Sequence, residues 1–337
     1  MREYIIRRIL LMVPTLIGIT MICFLLTNFI PGGPVEEMVS RIRAAGSQRG
    51  IDASHSITEE EIQNIKAYYG FDKPVHIRYL KWLANVARLD LGTSYSYEKP
   101  VLNVIASKFP ISLFFGITSF FLSYLVCIPL GMLKAVKNNS AFDTISSVII
   151  FAGYVMPGYA LGILLITFLA GGSFLDWFPM SGIVSDNFEA LSFGGKTLDF
   201  LHHMVLPLFC YMASEFAFLT LLMKNSLMEE INKDYMRTAI VKGASFKTAV
   251  RRHAFRNSLI PLATHLSDIF TVMFAGALLI EKIFDIDGMG LLVYNSMVGR
   301  DYNVVMGIIL LSSLMVLLGR LFSDILYVIV DPRIKFQ

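Results

Sequence analysis

Charge is scarce in this chain. Asp, Glu, Lys and Arg make up 16% of its 337 residues and 55% are hydrophobic, whereas soluble domains are about a quarter charged. That balance argues against a soluble globular domain and for an integral membrane protein. Cysteine is rarer still. Cys23, Cys127 and Cys210 each sit inside an apolar run with no C-x-x-C pair. Neither a disulfide framework nor a thiolate metal site is expected, and the thiols read as small buried side chains. No G-x-x-x-x-G-K-[ST] phosphate loop is present, so ATP hydrolysis by this chain is not expected. Nor is there a G-x-S-x-G or H-E-x-x-H element of the kind an intramembrane hydrolase would carry. No convincing internal repeat supports a stand-alone secondary carrier, although that class stays open.

Long apolar runs are what the sequence does have. They lie near Ile9–Ile30, Ile111–Leu133, Ile145–Leu169, Met204–Met223, Leu259–Ile280 and Val304–Val330, each long enough to cross a bilayer at about 1.5 Å per helical residue. The first ends in Pro31-Gly32-Gly33-Pro34, a turn and not a signal-peptidase site. Basic residues in the short connections set the orientation. They cluster at the N-terminus (Arg2, Arg7, Arg8), between the second and third runs (Lys134, Lys137), between the fourth and fifth, and in the tail (Arg333, Lys335). Both termini are therefore expected in the cytoplasm, which six crossings allow.

The region 31–108 is then extracytoplasmic. Thr58-Glu-Glu-Glu61 reads as a capping box opening a helix through Tyr69. Val75–Leu89 reads as an amphipathic helix with Tyr79, Trp82, Leu83 and Val86 on one side.

Between the fourth and fifth runs lies the most basic stretch, Asp234 to Leu262. Its first part, Asp234–Lys242, is free of Gly and Pro and is expected to be helical. Gly243 supplies a turn. Phe246, Ala249, Val250, His253 and Ala254 then form one stripe at helical spacing. Charge alone leaves two readings open, an interfacial loop attracted to anionic lipid and a hairpin that docks a cytoplasmic partner.

Specific motifs narrow the choice. Arg237-Thr-Ala239, Lys242-Gly243-Ala244, His253-Ala254, Arg256-Asn257 and Leu259-Ile260-Pro261 resemble the EAA loop of ABC-importer permeases, in the longer version of oligopeptide and dipeptide permeases. Asp234 departs from the Glu that often leads that loop. The resemblance covers the whole chain: "YIIRRILLMVPTLIGITMICFLLTNFIPGGP", "YGFDKPVHIRYLKWL", "LDLGTSYSYEKPV" and "EKIFDIDGMG" are similar to family stretches in the same order. "PGGPVE", "MKNSLMEEINKDY", "RDYNV" and "DPRIKF" lean toward the Yej-type subgroup, associated with oligopeptide and microcin C uptake.

The resemblance implies an all-α membrane protein: six transmembrane helices of the type I importer permease fold with a small extracytoplasmic insertion, in a bacterial inner membrane. The expected division is 1–30 (N-terminus and first span), 31–108 (extracytoplasmic), 109–330 (five-helix core with the coupling loop 225–258) and 331–337 (cytoplasmic tail). The chain would form half of a pore beside a second permease, above two ATPase domains that hold ATP and Mg, and receive peptide from an extracytoplasmic binding protein. No cofactor or metal is expected on the chain itself. Tyr235, Arg237, Thr238, Ala239, Lys242, Gly243, Ala244, Arg256 and Asn257 are the expected ATPase-coupling residues. Three intramembrane polar residues, Glu215, His265 and Asp268, are candidates for a translocation pathway, with helix–helix hydrogen bonding as the competing role. Relatives also carry nickel and other small solutes, so the cargo stays open. His202-His203 is a weak metal candidate, because adjacent residues on a helix face different ways.

Overall fold

A computed structural model of the chain describes residues 2–29, 72–171, 174–267 and 277–330, with the single positions Val39, Glu60 and Gln63. Apart from Glu60 and Gln63, the expected helix from Thr58 to Tyr69 falls outside these residues, as do Asp268 and the tail after Val330. The described residues are all-α; their only β pairing is two isolated bridges, Thr93 with Pro100 and Ala170 with Phe178.

Among the described residues, three single helices are long and apolar enough to cross a membrane: α1 (Arg2–Phe29), α3 (Val101–Val136) and the last described helix, Tyr302–Val330. Between α1 and α3 lies the short α2 (Val75–Val86). Two further candidates are bent. The expected third span is broken into α4 (Ala141–Val155) and α5 (Gly158–Leu169), which meet at 99°. Pro157 has no N–H and disfavours helical geometry in the residue before it, and Met156 is accordingly extended at φ −84, ψ 120. The fourth is α6 (Phe193–Ile231), bent by 54° between Phe193–Ala213 and Glu215–Ile231. The expected fifth span includes 268–276, which are not described. Where a loop was expected beyond it, the chain forms two short helices, Leu278–Ile283 and Met289–Val298.

These elements group into two compact units. One comprises Ile111–Leu291 and Met315–Gln337, the other Arg2–Pro110 and Leu292–Leu314. In the first, the core gathers Phe115, Met204, Cys210, Tyr211, Phe284 and Ile286, with the Phe115 and Tyr211 rings stacked 5.4 Å apart. The motif "EKIFDIDGMG" closes over this core. Glu281 is fully buried and its carboxylate accepts from the Leu291 N–H (2.8 Å), Ser112 Oγ (3.0 Å) and Tyr211 Oη (3.1 Å). Ser112 Oγ in turn accepts from the Met289 N–H at 2.7 Å. Gly288 is needed for this closure, since a Cβ there would lie 2.6 Å from Ser112 Oγ and 2.8 Å from the Glu281 carboxylate.

In the second unit, α2 packs with α1 and the start of the Tyr302–Val330 helix in a cluster of Phe24, Tyr79 and Met306, with Trp82, Leu83 and Val75 around them, as the expected amphipathic face requires. Two motifs distant in sequence meet here. Buried Asp301 of "RDYNV" accepts from Ser94 Oγ and from the Ser96 N–H (3.0 Å), and Asn303 Nδ2 donates to the Thr93 carbonyl (2.8 Å). The "LGTSYS" turn is thus held by "RDYNV".

Helices α3 and α6 approach closely at Gly131. A Cβ there would meet Met223 Cβ and the Thr220 carbonyl, both at 2.7 Å. Forced overpacking costs about 1–3 kcal/mol, so Gly131→Ala should lower the thermal unfolding midpoint of the purified protein. Gly153→Ala on α4, where a Cβ meets nothing within 4 Å, should leave it unchanged or raise it. Equal midpoints for the two variants would contradict this packing.

Candidate functional site

The basic segment after α6 forms a helical hairpin. Helix α7 spans Asp234–Val241 and ends in a Schellman turn: the Ala244 N–H donates to the Ala239 carbonyl (3.1 Å) and the Gly243 N–H to the Ile240 carbonyl (2.9 Å). Gly243 has φ +93, a conformation other residues adopt only with strain. Ser245 then caps the next helix, its Oγ accepting from the Thr248 N–H at 3.3 Å. That helix runs as α8 (Phe246–Ala249), a π turn (Val250–Ala254) and α9 (Phe255–Ser258), continuing into α10 (Ile260–Thr264).

The π turn corrects the expected stripe. Ala249, Val250, Ala254, Ser258 and Leu262 are buried, while Phe246 and His253 are exposed. One turn with an extra residue puts Ala249 and Ala254 on one face and swings His253 away from it. The buried residues form a core with Met223, Leu227, Met236 and Ala135. Two side-chain hydrogen bonds tie the segment to neighbouring helices, from Ser226 Oγ to the Ser258 carbonyl (2.9 Å) and from Tyr124 Oη to the Leu262 carbonyl (3.1 Å).

The nine residues singled out in this segment divide into three groups. Tyr235, half-buried, and Asn257, exposed, converge on Glu230, at the end of α6. The Tyr235 hydroxyl donates to Glu230 Oε2, and Asn257 Nδ2 approaches both Oε2 and the Tyr235 hydroxyl at 3.4 Å. Lys233 completes the cluster through Glu230 Oε1. That ion pair raises the Lys233 pKa, while burial and the same carboxylate push the Tyr235 phenol up. Ala239 and Ala244 pack half-buried against the core. Arg237, Thr238, Lys242, Gly243 and Arg256 are exposed. Around them the hairpin tip also exposes Ile240, Val241 (87%) and Phe246.

Glu230 was not distinguished by sequence reasoning. Its signal was available only as spacing, five residues before Tyr235 within a motif rich in charge. The sequence also treated Lys134 and Lys224 as markers of membrane sidedness, but both grip one carboxylate. Lys134 is fully buried and contacts Asp143 Oδ1 (3.0 Å), Ser146 Oγ (2.7 Å) and Ser147 Oγ (2.8 Å); Lys224 meets Asp143 Oδ2 at 2.7 Å. This clamp joins α3, α4 and α6.

Among the intramembrane candidates, Glu215 is exposed at the bend of α6. His265 packs edge-on against Phe218 at 4.6 Å, and Phe218 lies three residues beyond Glu215, on the same helix face. The two are therefore brought to one side of α6. His202 and His203 are each within hydrogen-bond distance of a backbone carbonyl, of Trp177 (2.7 Å) and Asp199 (2.8 Å), and no metal-holding cluster occurs among the described residues. Ala190 to Thr197 has the ending of a phosphate loop, Gly195-Lys196-Thr197. It follows a 3₁₀ turn (Phe188–Ala190) and not a strand, and Lys196 is paired with Glu189 at 2.8 Å.

The described residues thus form an all-α membrane protein with several membrane-length helices and a basic, partly buried hairpin. The model of the family "binding-protein-dependent transport system inner membrane component" matches residues 127–336. The chain is 42% identical to the peptidoglycan transport system permease protein YejB of Agrobacterium fabrum, over 100% of this chain and 99% of that protein. It is 41% identical to the inner membrane ABC transporter permease protein YejB of Escherichia coli O157:H7, and 33% identical to the oligopeptide transport system permease protein AppB of Bacillus subtilis, over the full length of both chains in each case. The chain belongs to this family of inner membrane ABC-transporter permeases.

The Glu230 cluster makes a measurable claim. Removing the carboxylate leaves Lys233 and Tyr235 without it, a loss of about 1–3 kcal/mol. Glu230→Ala should destabilise the purified protein, and adding Tyr235→Phe should cost less than the sum of the two single changes, by about 1 kcal/mol. Strict additivity would show that the two side chains are independent.

Proposed function

We propose that this chain forms half of the translocation pore of an ATP-driven peptide importer. A second permease subunit lies beside it, two cytoplasmic ATPase domains bind ATP and Mg²⁺, and an extracytoplasmic binding protein delivers cargo. The observation that carries this reading is the hairpin around Gly243, a tip exposed on a base that is packed and hydrogen-bonded.

The tip suits a protein partner. Ile240, Val241 and Phe246 offer apolar area, and Arg237 and Lys242 flank it with fixed positive charge. Arg237 presents a planar fork of donors suited to carboxylate or carbonyl acceptors on an ATPase. A Cβ at Gly243 would meet nothing within 4 Å, so the glycine is required by its backbone angle and leaves open space for a docked surface. Movement of the tip passes through Tyr235, Asn257 and Glu230 into α6, and through the buried alanine face toward α10. Arg256, Thr238, Ala239 and Ala244 border this path. Both termini lie in the cytoplasm on the same side as the hairpin. Glu215, His265 and Asp268 border the cargo's route.

The cargo is a peptide, as the names of relatives such as AppB suggest. A second reading, a peptidoglycan-derived peptide, is favoured by the relative from Agrobacterium fabrum at 42% identity.

Reconstitution in vesicles with the partner subunits tests the whole scheme. Uptake should require ATP and the ATPase subunits; transport by this chain alone would favour a stand-alone carrier, and nickel uptake without peptide uptake would displace peptide as cargo. Within that assay, Gly243→Asp should abolish uptake while the complex still assembles, whereas Gly243→Ala should retain part of it, since the positive φ alone costs about 1–3 kcal/mol. Wild-type uptake by Gly243→Asp would sink the docking role. Glu215→Gln should slow uptake, and unchanged rates across several peptides would remove Glu215 from the route.

A further inference from the structure

Helix α2 has three faces where a helix packed on a soluble domain has two. At 100° per residue, Val75, Tyr79, Trp82, Leu83 and Val86 fall on one side, the side packed against α1. Arg78, Lys81 and Asn85 form a second, polar arc. Ile77 (44% exposed), Leu80 (61%) and Ala84 form a third, apolar and uncovered. The arcs lie roughly 120° apart.

The depth of α2 is fixed by its contacts. The Tyr79 ring lies 5.4 Å from that of Phe24, and its hydroxyl reaches down α1 to donate to the Ile17 carbonyl at 3.0 Å. Arg78 Nη1 donates to Asn28 Oδ1 at 2.9 Å. The body of α2 is therefore level with Phe24–Asn28, within about 8 Å of the end of α1 at Phe29. Helix α1 is long and apolar enough to cross a bilayer, and its last two turns expose Ile22, Leu25, Leu26 and Phe29. The uncovered arc of α2 lies at the same level along α1 as these exposed side chains.

We propose that α2 is an interfacial helix whose Ile77–Leu80–Ala84 arc is immersed in lipid at the bilayer surface, with Lys81, Asn85 and Arg78 among headgroups and water. Three environments meet at such a boundary: protein, acyl chain and polar headgroup. A helix there needs one face for each. Tyr79 and Trp82, stacked 6.1 Å apart, are the residue types enriched at that depth. Long basic side chains reach from it toward phosphate. The assignment does not depend on the cargo or on ATPase docking.

Site-directed spin labels in the assembled transporter in lipid nanodiscs test it. A label at Leu80→Cys should show an accessibility ratio of oxygen to a water-soluble nickel chelate at least about threefold higher than a label at Lys81→Cys. Ile77→Cys repeats the measurement on the same arc if Leu80→Cys does not assemble. Equal ratios at 80 and 81 would place the arc in water and overturn the proposal. Exclusion of both reagents from 77 and 80 would also overturn it, by showing that a second subunit or residues 30–71 of this chain cover the arc.

Discussion

A carboxylate removed from water must be surrounded by donors, or it cannot stay charged at tolerable cost. Much of this protein is arranged around that requirement. Glu281 gathers the loop after the fifth apolar run, Asp143 joins α3, α4 and α6, and Glu230 anchors the basic hairpin. Asp301 does the same for the turn before α3 in the second unit. All four are below 10% exposure. Apolar packing between helices in lipid has little hydrophobic drive and little directional preference, and hydrogen bonds to these carboxyl groups supply the direction.

The same constraint explains why the hairpin combines a rigid base with an exposed tip. Small residues, Ala249 and Ala254, let its second helix approach α6 closely, and Glu230 fixes where the first helix begins. What remains outside is a turn whose backbone hydrogen bonds are already made. A partner meeting such a surface orders little of it on binding, which favours contact that forms and releases repeatedly.

Much of the architecture was legible because periodicity and length carry it. The apolar runs, the amphipathic α2 and the turn at Gly243 each follow from local sequence. The 99° break falls at a Pro157-Gly158 pair, but a Pro-Gly pair does not set an angle, and α5 also packs closely where Gly162 faces Phe284 and Cys210. The stripe from Phe246 to Ala254 was misread because a π turn leaves no mark on a 3.6-residue count. Tyr235 and Asn257 were legible as members of a motif and not as partners, since 22 residues separate two side chains that share one carboxylate. Likewise, counting Lys134 and Lys224 by charge hid the acceptor they share.

The π turn also limits how this segment can change in length. Ala249 and Ala254 reach the same face only because Val250–Ala254 winds one residue more than an α turn. Deleting a single residue there rotates everything downstream by about 100°, carrying Ser258 and Leu262 off α6 and away from Ser226 and Tyr124. Insertions are absorbed readily by loops, but between Ser245 and Leu262 the residue count is itself part of this chain's packing.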